Sequence, residues 1–194
     1  MSDRSWLGNG HMARYEMEMV LQYAKVFPEN ADMGDPNGNT IAKQIADKGG
    51  QYVMNAYFTN EEDIDKLLSD GLNPSPMGSQ RIVDGESEFG IGKYMKMKRS
   101  VSDNIKTFTD NKGKPVEVNY GGPIAVVDLT QGEDNKRWWS FEDDGPLGNG
   151  TKAKVIFDVY SNGSGVRMNA IGVTDHVAYE PAETNSIGAW TEVA

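Results

Sequence analysis

The chain reads as mainly β, a small barrel or sandwich of about six or seven strands with one clear helix and long connections. Three observations predict this. Apolar residues make up 38% of the 194 residues, yet they fall in short runs that alternate with polar ones, the period of strands half buried on a core. Gly, Asn, Asp and Pro separate those runs, as turns require. Only one segment shows helical phasing with recognisable ends.

The elements follow in order. Residues 14–27 (RYEMEMVLQYAKVF) begin with Tyr15, Met17, Met19 and Leu21 on one face, a long first strand stopped by Pro28. Residues 29–50 form a long Asn/Asp/Gly-rich loop, with a short helix over Thr40 to Lys48. Residues 51–58 (QYVMNAYF) make a second strand. Thr59 or Asn60 caps the helix that follows; Glu61, Glu62 and Asp63 suit its positive end, Ile64, Leu67 and Leu68 form its apolar side, and Gly71 ends it. Residues 72–92 read as irregular. Lys93 to Arg99 alternates as a strand, with Met95 and Met97 inward and Tyr94, Lys96 and Lys98 outward together. Residues 105–108 continue the pairing, 110–115 carry a hairpin turn, and 115–120 and 123–129 are strands, the second apolar enough to be central. After an acidic loop over 131–145 and a turn at 147–150, residues 151–160 place Ala153, Val155, Phe157 and Val159 inward. A hairpin loop at 161–165 leads to a last strand over 166–179. A five-stranded Greek-key barrel accommodates this order, and so does a jelly roll.

Composition removes several kinds of chemistry. With no cysteine there are no disulfides, thiol nucleophiles or zinc–thiolate centres. The two histidines, His11 and His176, do not supply a histidine-rich metal site or a Ser-His-Asp triad. No apolar run reaches the roughly 18 residues of a membrane span, and no apolar h-region opens the chain. Residues 1–12 (MSDRSWLGNGHM) read as an expression leader, 13–180 as the folded domain and 181–194 as a tail. Asp32 to Asn39 looks like a calcium loop, but counting from Asp35 puts Thr40 and Ala46 where an EF-hand needs Gly and Glu. Gly90-Ile-Gly92 lacks the third glycine of a dinucleotide site, and no carboxylate pair has a diagnostic spacing, so the chain reads as non-enzymatic with neither cofactor nor metal.

Charge is the informative signal. The chain sums to −10, yet residues 92–114 hold seven Lys or Arg against two Asp. An aromatic ring beside two ammonium groups on an open sheet face can stack a base and hold the adjoining phosphates; an ordinary solvated strand face has the same composition. Tyr94, Lys96, Lys98 and Arg99 are the first candidate set. Lys152 and Lys154, outward on their strand with Tyr160, are the second, and Arg167 stands where it can join them. Lys136-Arg137-Trp138-Trp139-Ser140-Phe141 is a third, in which one Trp anchors the loop and the other can serve as a stacking platform.

Val126-Val-Asp-Leu129, then Pro146-Leu-Gly-Asn-Gly-Thr-Lys-Ala-Lys-Val155, then Val166-Arg-Met-Asn-Ala-Ile-Gly-Val173 resembles the OB-fold single-stranded DNA-binding proteins of short-tailed bacteriophages. The resemblance spans residues 15–179 and is closest over 120–179. It implies an OB-fold, a five-stranded Greek-key barrel with one helix between strands, that coats single-stranded DNA without sequence preference during phage replication and recombination in the host cytoplasm. Basic and aromatic residues of the barrel groove would do the binding: Tyr94, Lys96, Lys98, Arg99, Lys152 and Lys154, with Trp138 and Trp139 beside them. It further implies a phage DNA polymerase and helicase-primase as partners, and a homodimer as an assembly. The chain departs from the family at its end, where Trp190 is present but the acidic run is not, which implies either a shortened chain or weak tail-mediated contact. The competing expectation is a β-sandwich that binds carbohydrate or serves as a virion structural module, since exposed Trp and Tyr stack sugars as well. The nucleic-acid expectation carries a geometric condition: the outward faces of 94–99 and 152–160 must share one groove.

Overall fold

Alternation along the first strand sets the architecture. In β1 (Ala13–Lys25) the side chains of Tyr15, Met17, Met19 and Leu21 are buried while Arg14, Glu16 and Glu18 are exposed, the pattern of a strand with one face on a core. The structure, a computed structural model, describes residues 13–110 and 112–180; the leader over 1–12 and the tail over 181–194 lie outside the described residues. After β1 come α1 (Thr40–Asp47), β2 (Gln51–Phe58), α2 (Glu61–Ser69), β3 (Ile82–Asp84), β4 (Lys93–Ser100), β5 (Ile105–Thr109), β6 (Pro115–Asn119), β7 (Ala125–Asp128), β8 (Arg137–Trp138), α3 (Phe141–Asp144), β9 (Thr151–Tyr160) and β10 (Gly165–Asp175).

The chain is mainly β. Eight strands form one sheet in the order β3-β4-β2-β1-β9-β10-β7-β8, and β5 and β6 pair by themselves as a hairpin. The large sheet also meets itself. β10 runs parallel to β4, with Lys98 opposite Arg167, so β1, β2, β4, β10 and β9 follow one another in a ring. Past that bridge β10 has an irregularity between Met168 and Ala170, and over Ala170–Val173 it pairs in parallel with β7 instead. The ring therefore parts where β10 turns from β4 to β7. Methionine fills much of the interior: Met19, Met54, Met95, Met97 and Met168 are at most 1% exposed, packed with Leu21, Val155, Phe157 and Ile171. Long unbranched thioethers adapt to the uneven space inside a curved sheet.

α2 illustrates how local chemistry meets the core. Asn60 Oδ1 accepts from the Asp63 N–H at 2.9 Å, three acidic residues occupy the first turn, and Ile64 and Leu67 are buried. Leu68, expected on the same side, is 40% exposed. Three short elements were not expected: β3, inside the stretch read as irregular, β8 and α3. β3 exists because β4 gives it a ladder, Ile82–Asp84 opposite Lys93–Met95. The last strand ends at Asp175, short of Tyr179. No helix among the described residues is long and apolar enough to cross a membrane.

One polar contact lies deep within this frame. Asp158, fully buried on the outward side of β9, accepts from Arg167 at 2.6 Å and from Arg14 at 2.8 Å. Arg167 is itself 3% exposed and was expected on an open surface; it is covered because Tyr120, just after β6, lies over it with the ring centroid 4.2 Å from its guanidinium carbon. Burial alone would raise the Asp158 carboxyl, but hydrogen bonds from Arg14 and Arg167 leave it below its ordinary value.

Asp158→Asn should cost roughly 3–5 kcal/mol in denaturant unfolding, because Arg167 is left buried without its counter-charge. Since the folded value is depressed, the Asp158 contribution is complete above about pH 4 and is lost as pH falls from there through the folded value. The stability of the variant should fall less steeply than that of the wild type below pH 4; parallel curves would place the pair outside the acid response.

Candidate nucleic-acid interface

β4 presents its two faces as the alternation predicts. Met95 and Met97 are fully buried, while Lys96 and Lys98 are exposed on the other side. The ladder with β2 sets Lys96 beside Asn55 and Lys98 beside Val53, and Lys25 of β1 lies opposite Val53 on the far side. Two further cations arrive from outside these strands. Lys48 ends α1, and Arg81 precedes β3, where its guanidinium donates to the Ser164 carbonyl in the turn between β9 and β10. Partial enclosure lowers the Lys98 ammonium below its ordinary value; Lys96, Lys48 and Arg81 lower it further and Asp32 opposes them. Four cations thus crowd a patch in which one carboxylate answers Lys98. Such repulsion is tolerated where an anionic ligand relieves it.

Tyr94 sits at the closed end of this patch. Its ring lies 5.0 Å from that of Tyr57, which is 1% exposed and also meets Phe89 at 5.3 Å. Gly85 crosses directly above; a Cβ there would stand 2.8 Å from the Tyr94 ring. Beneath, Gln22 Oε1 accepts from Asn55 Nδ2 and the Tyr57 hydroxyl, both at 3.1 Å. Residues 85–92 therefore roof the Tyr57 row, and Tyr94 is half-buried at its edge, with less open ring than a free stacking platform. Tyr23 offers more. It is 63% exposed, at the irregularity in β1 between Gln22 and Lys25, with φ 51°. A non-glycine residue held there costs of order 1–3 kcal/mol. Its backbone N–H donates to Asn149 Oδ1 at 2.8 Å.

Arg99 does not join Lys96 and Lys98. It has the phase of Met95 and Met97, and its guanidinium is committed to carbonyls of Asn119, Gly121, Gly122 and Met168 and to Asn169 Oδ1. It fastens the segment after β6 to β10.

The remaining candidates are elsewhere. β9 is two strands from β4 through β10 and three through β2 and β1. Lys152 aligns with Val20, then Tyr57, then Tyr94, and the two between are buried. The expected single groove does not follow from the ladders: Lys98 aligns through Arg167 with Asp158, which is four residues along β9 from Lys154 and six from Lys152. Lys154 is answered by carboxylates, first by Glu133 at 3.2 Å and then by Glu16 and Glu18, which raise its ammonium.

Lys154 instead borders a groove of about 520 Å³ floored by Ala125, Val127, Leu129, Ile156 and Gly172. Trp138, 72% exposed, stands at its rim. Arg137 is clamped there by Asp144, with both contacts at 2.8 Å, and by Asp128 at 2.9 Å; the Asp144 carboxyl is held down to about 2, first by that Arg137 bond. Trp139 takes the anchoring role: its Nε1 donates to the Gly145 carbonyl at 2.8 Å and its ring meets His176. Lys25, Lys48, Arg81 and Tyr23 had not been singled out in the sequence. Lys48 and Arg81 stand alone there, and strict alternation with Tyr15 to Leu21 would turn Tyr23 and Lys25 inward; the irregularity between Gln22 and Lys25 brings them to the surface. Among the described residues no group of three or more His, Cys, Asp and Glu could hold a metal ion.

If Lys98 is set by ligand rather than by stability, Lys98→Gln should melt at or above the wild-type temperature in low salt. The difference should shrink as salt screens the repulsion, read by thermal unfolding across a salt series. A clear loss of stability would make Lys98 structural. A scan of protein-family models finds no match to the chain, and a search of curated proteins finds none.

Proposed function

We propose that this chain is a non-enzymatic single-stranded DNA-binding protein with an OB-fold. The reading no longer rests on a groove shared with Lys152 and Lys154; the observation that carries it is the set of cations around Lys98, with Lys96 on the same strand face and Lys48 and Arg81 beside it. Its place in the strand order supports it. An OB barrel binds oligonucleotides on the face of its second and third strands and with the loops joining strands one to two and four to five. Taking β1, β2, β4, β9 and β10 as those five strands, Lys96, Lys98 and Val53 lie on the second and third. Lys48 comes from the first loop, and Ser164, which holds Arg81, from the second. The parallel contact of β4 with β10 supports the barrel reading, and α2 follows the second strand. The ligand would bind by phosphate contacts to the lysines and by stacking on Tyr23 and the open edge of Tyr94, at roughly 1–3 kcal/mol per stacked base. The patch reads no base edges, so binding is sequence-independent. The phage replication and recombination role, the polymerase and helicase-primase partners, the homodimer and the host cytoplasm rest on the resemblance alone.

A second reading has its own observation. Trp138 at the rim of an apolar-floored groove suits a sugar ring, as a carbohydrate-binding module would need.

Anisotropy of labelled oligo-dT separates the two. The wild type should bind, with log K falling against log salt at a slope of about −3 for four or five neutralised phosphates. Lys96→Glu with Lys98→Glu should weaken binding about 100-fold and flatten the slope by about 1.4. Absence of binding at low salt would remove the nucleic-acid reading. Trp138→Ala should leave oligo-dT affinity within about twofold, since its groove is a separate face; a large loss would move the interface to β8 and β9.

A further inference from the structure

The β5–β6 hairpin rises from the end of the strand that carries Lys96 and Lys98. β4 closes at Ser100, which meets Gly121 through a parallel bridge, and the Tyr120 N–H donates to the Asn104 carbonyl across the hairpin root. Arg99 fastens that root through the Asn119, Gly121 and Gly122 carbonyls. The two faces of the hairpin differ in charge. Lys106 stands opposite Val118, which is buried, and Thr107 opposite Glu117, so alternation turns Lys106 toward the barrel with Val118 and turns Glu117 away. Lys114, at the tip, continues the side of Val116 and Val118 by the same alternation. Asp110 is turned back onto the chain there, accepting from the Lys112 and Lys114 N–H groups, both at 2.8 Å. Among the described residues neither Lys106 nor Lys114 meets a carboxylate within ion-pair distance. Two rings join this hairpin to the Lys98 patch. Tyr120 and Tyr160 are both half-buried, with centroids 5.3 Å apart, and both lie against Arg167, the residue beside Lys98. At one end Lys106 Nζ stands 5.7 Å from the Tyr120 centroid. At the other, Arg81 donates to the Ser164 carbonyl in the turn that follows Tyr160, within electrostatic reach of both Tyr160 and Lys98.

We propose that the β5–β6 hairpin is a second arm of the single-stranded nucleic-acid interface. The strand leaves the Lys96–Lys98 patch, crosses the Tyr160 and Tyr120 rings, and continues along Lys106 and Lys114. The inference rests on the nucleic-acid reading of that patch and adds its direction and its far end. Rings interleaved with ammonium groups are what an unpaired strand requires, a π-face for a base and a cation for the adjoining phosphate. Arg167 makes no phosphate contact in this arrangement. It is paired with Asp158 and packed against both rings, and it holds them by cation–π attraction. Rings fixed in this way stack a base with little further loss of side-chain freedom. A run of uncancelled cations along one line also matches a polyanion rather than a single small anion.

The test is anisotropy of the full chain with labelled oligo-dT of about five and of about fifteen nucleotides, lengths near the two ends of what one OB fold covers. The short probe fills the Lys96–Lys98 patch, and the long one reaches the hairpin. Lys106→Glu with Lys114→Glu, both exposed positions, should weaken binding of the long probe about tenfold more than that of the short one. It should also flatten the salt slope of the long probe by about 1.4, as the loss of two phosphate contacts requires. An equal loss on both lengths, or a long-probe affinity and slope like those of the wild type, overturns the second arm. Wild-type binding that is lost in Lys96→Glu with Lys98→Glu but indifferent to the hairpin variant sinks this inference and leaves the nucleic-acid reading in place; no wild-type binding at low salt removes both. Should the charge reversal disturb the hairpin, seen as a lowered melting temperature, Lys106→Gln with Lys114→Gln provides the second reading. It should cost about threefold more on the long probe, again with a slope flatter by about 1.4, and an unchanged slope overturns the arm.

Discussion

The ion pair between Arg167 and Asp158 sits where three parts of the molecule meet. It spans β9 and β10, it lies opposite Lys98 at the one bridge that closes the strand ring, and it is the surface on which Tyr120 and the β5–β6 hairpin rest. Removing two charges from water is expensive, and their attraction offsets this only when geometry is tight and other donors and acceptors are satisfied. Asp158 meets that condition, accepting from two guanidiniums. Arg167 does not, with two nitrogens left over. The seam is thus held by a carboxylate that is complete and a guanidinium that is not.

The charge of the chain is distributed with the same unevenness. A total of −10 disfavours indiscriminate adhesion to polyanions. On the β1–β9 side Lys154 is answered by glutamates, and on β8 Arg137 is answered by two aspartates. Around Lys98 the balance is reversed, and neighbours of like sign are brought in by three separate segments. Surface pairs of the first kind add little to stability, but they cancel the field where no anion is wanted. The uncancelled patch then stands out more sharply, an arrangement consistent with local rather than overall attraction.

Strand content and phase were legible in the sequence because period-2 burial needs no partner to be read. Tyr15 to Leu21, Met95 with Met97, and Ala153 to Val159 all face as their alternation requires. Within the candidate site, Lys96 and Lys98 were legible for the same reason. Arg99 was misplaced by one step of that alternation, because its neighbours in sequence are basic while its contacts come from residues 119–122 and 168–169. Arg81 and Lys48 gave no local signal, since a lone cation in a turn-rich stretch or at a helix end resembles any solvated residue.

By itself, then, the sequence determined a β-rich chain, the inward phase of Tyr15 to Leu21, of Met95 with Met97 and of Ala153 to Val159, a helix capped at Thr59 or Asn60, and the excess of positive charge near β4. Tertiary structure alone decided which outward faces adjoin. Alternation specifies a side of a strand, whereas the direction of that side in space depends on ladders such as Lys98 beside Arg167 that join residues 69 positions apart. That long-range pairing set Lys98 in line with Asp158 rather than with Lys152 or Lys154, and the packing of Tyr120 buried an arginine that an isolated strand would have left in water.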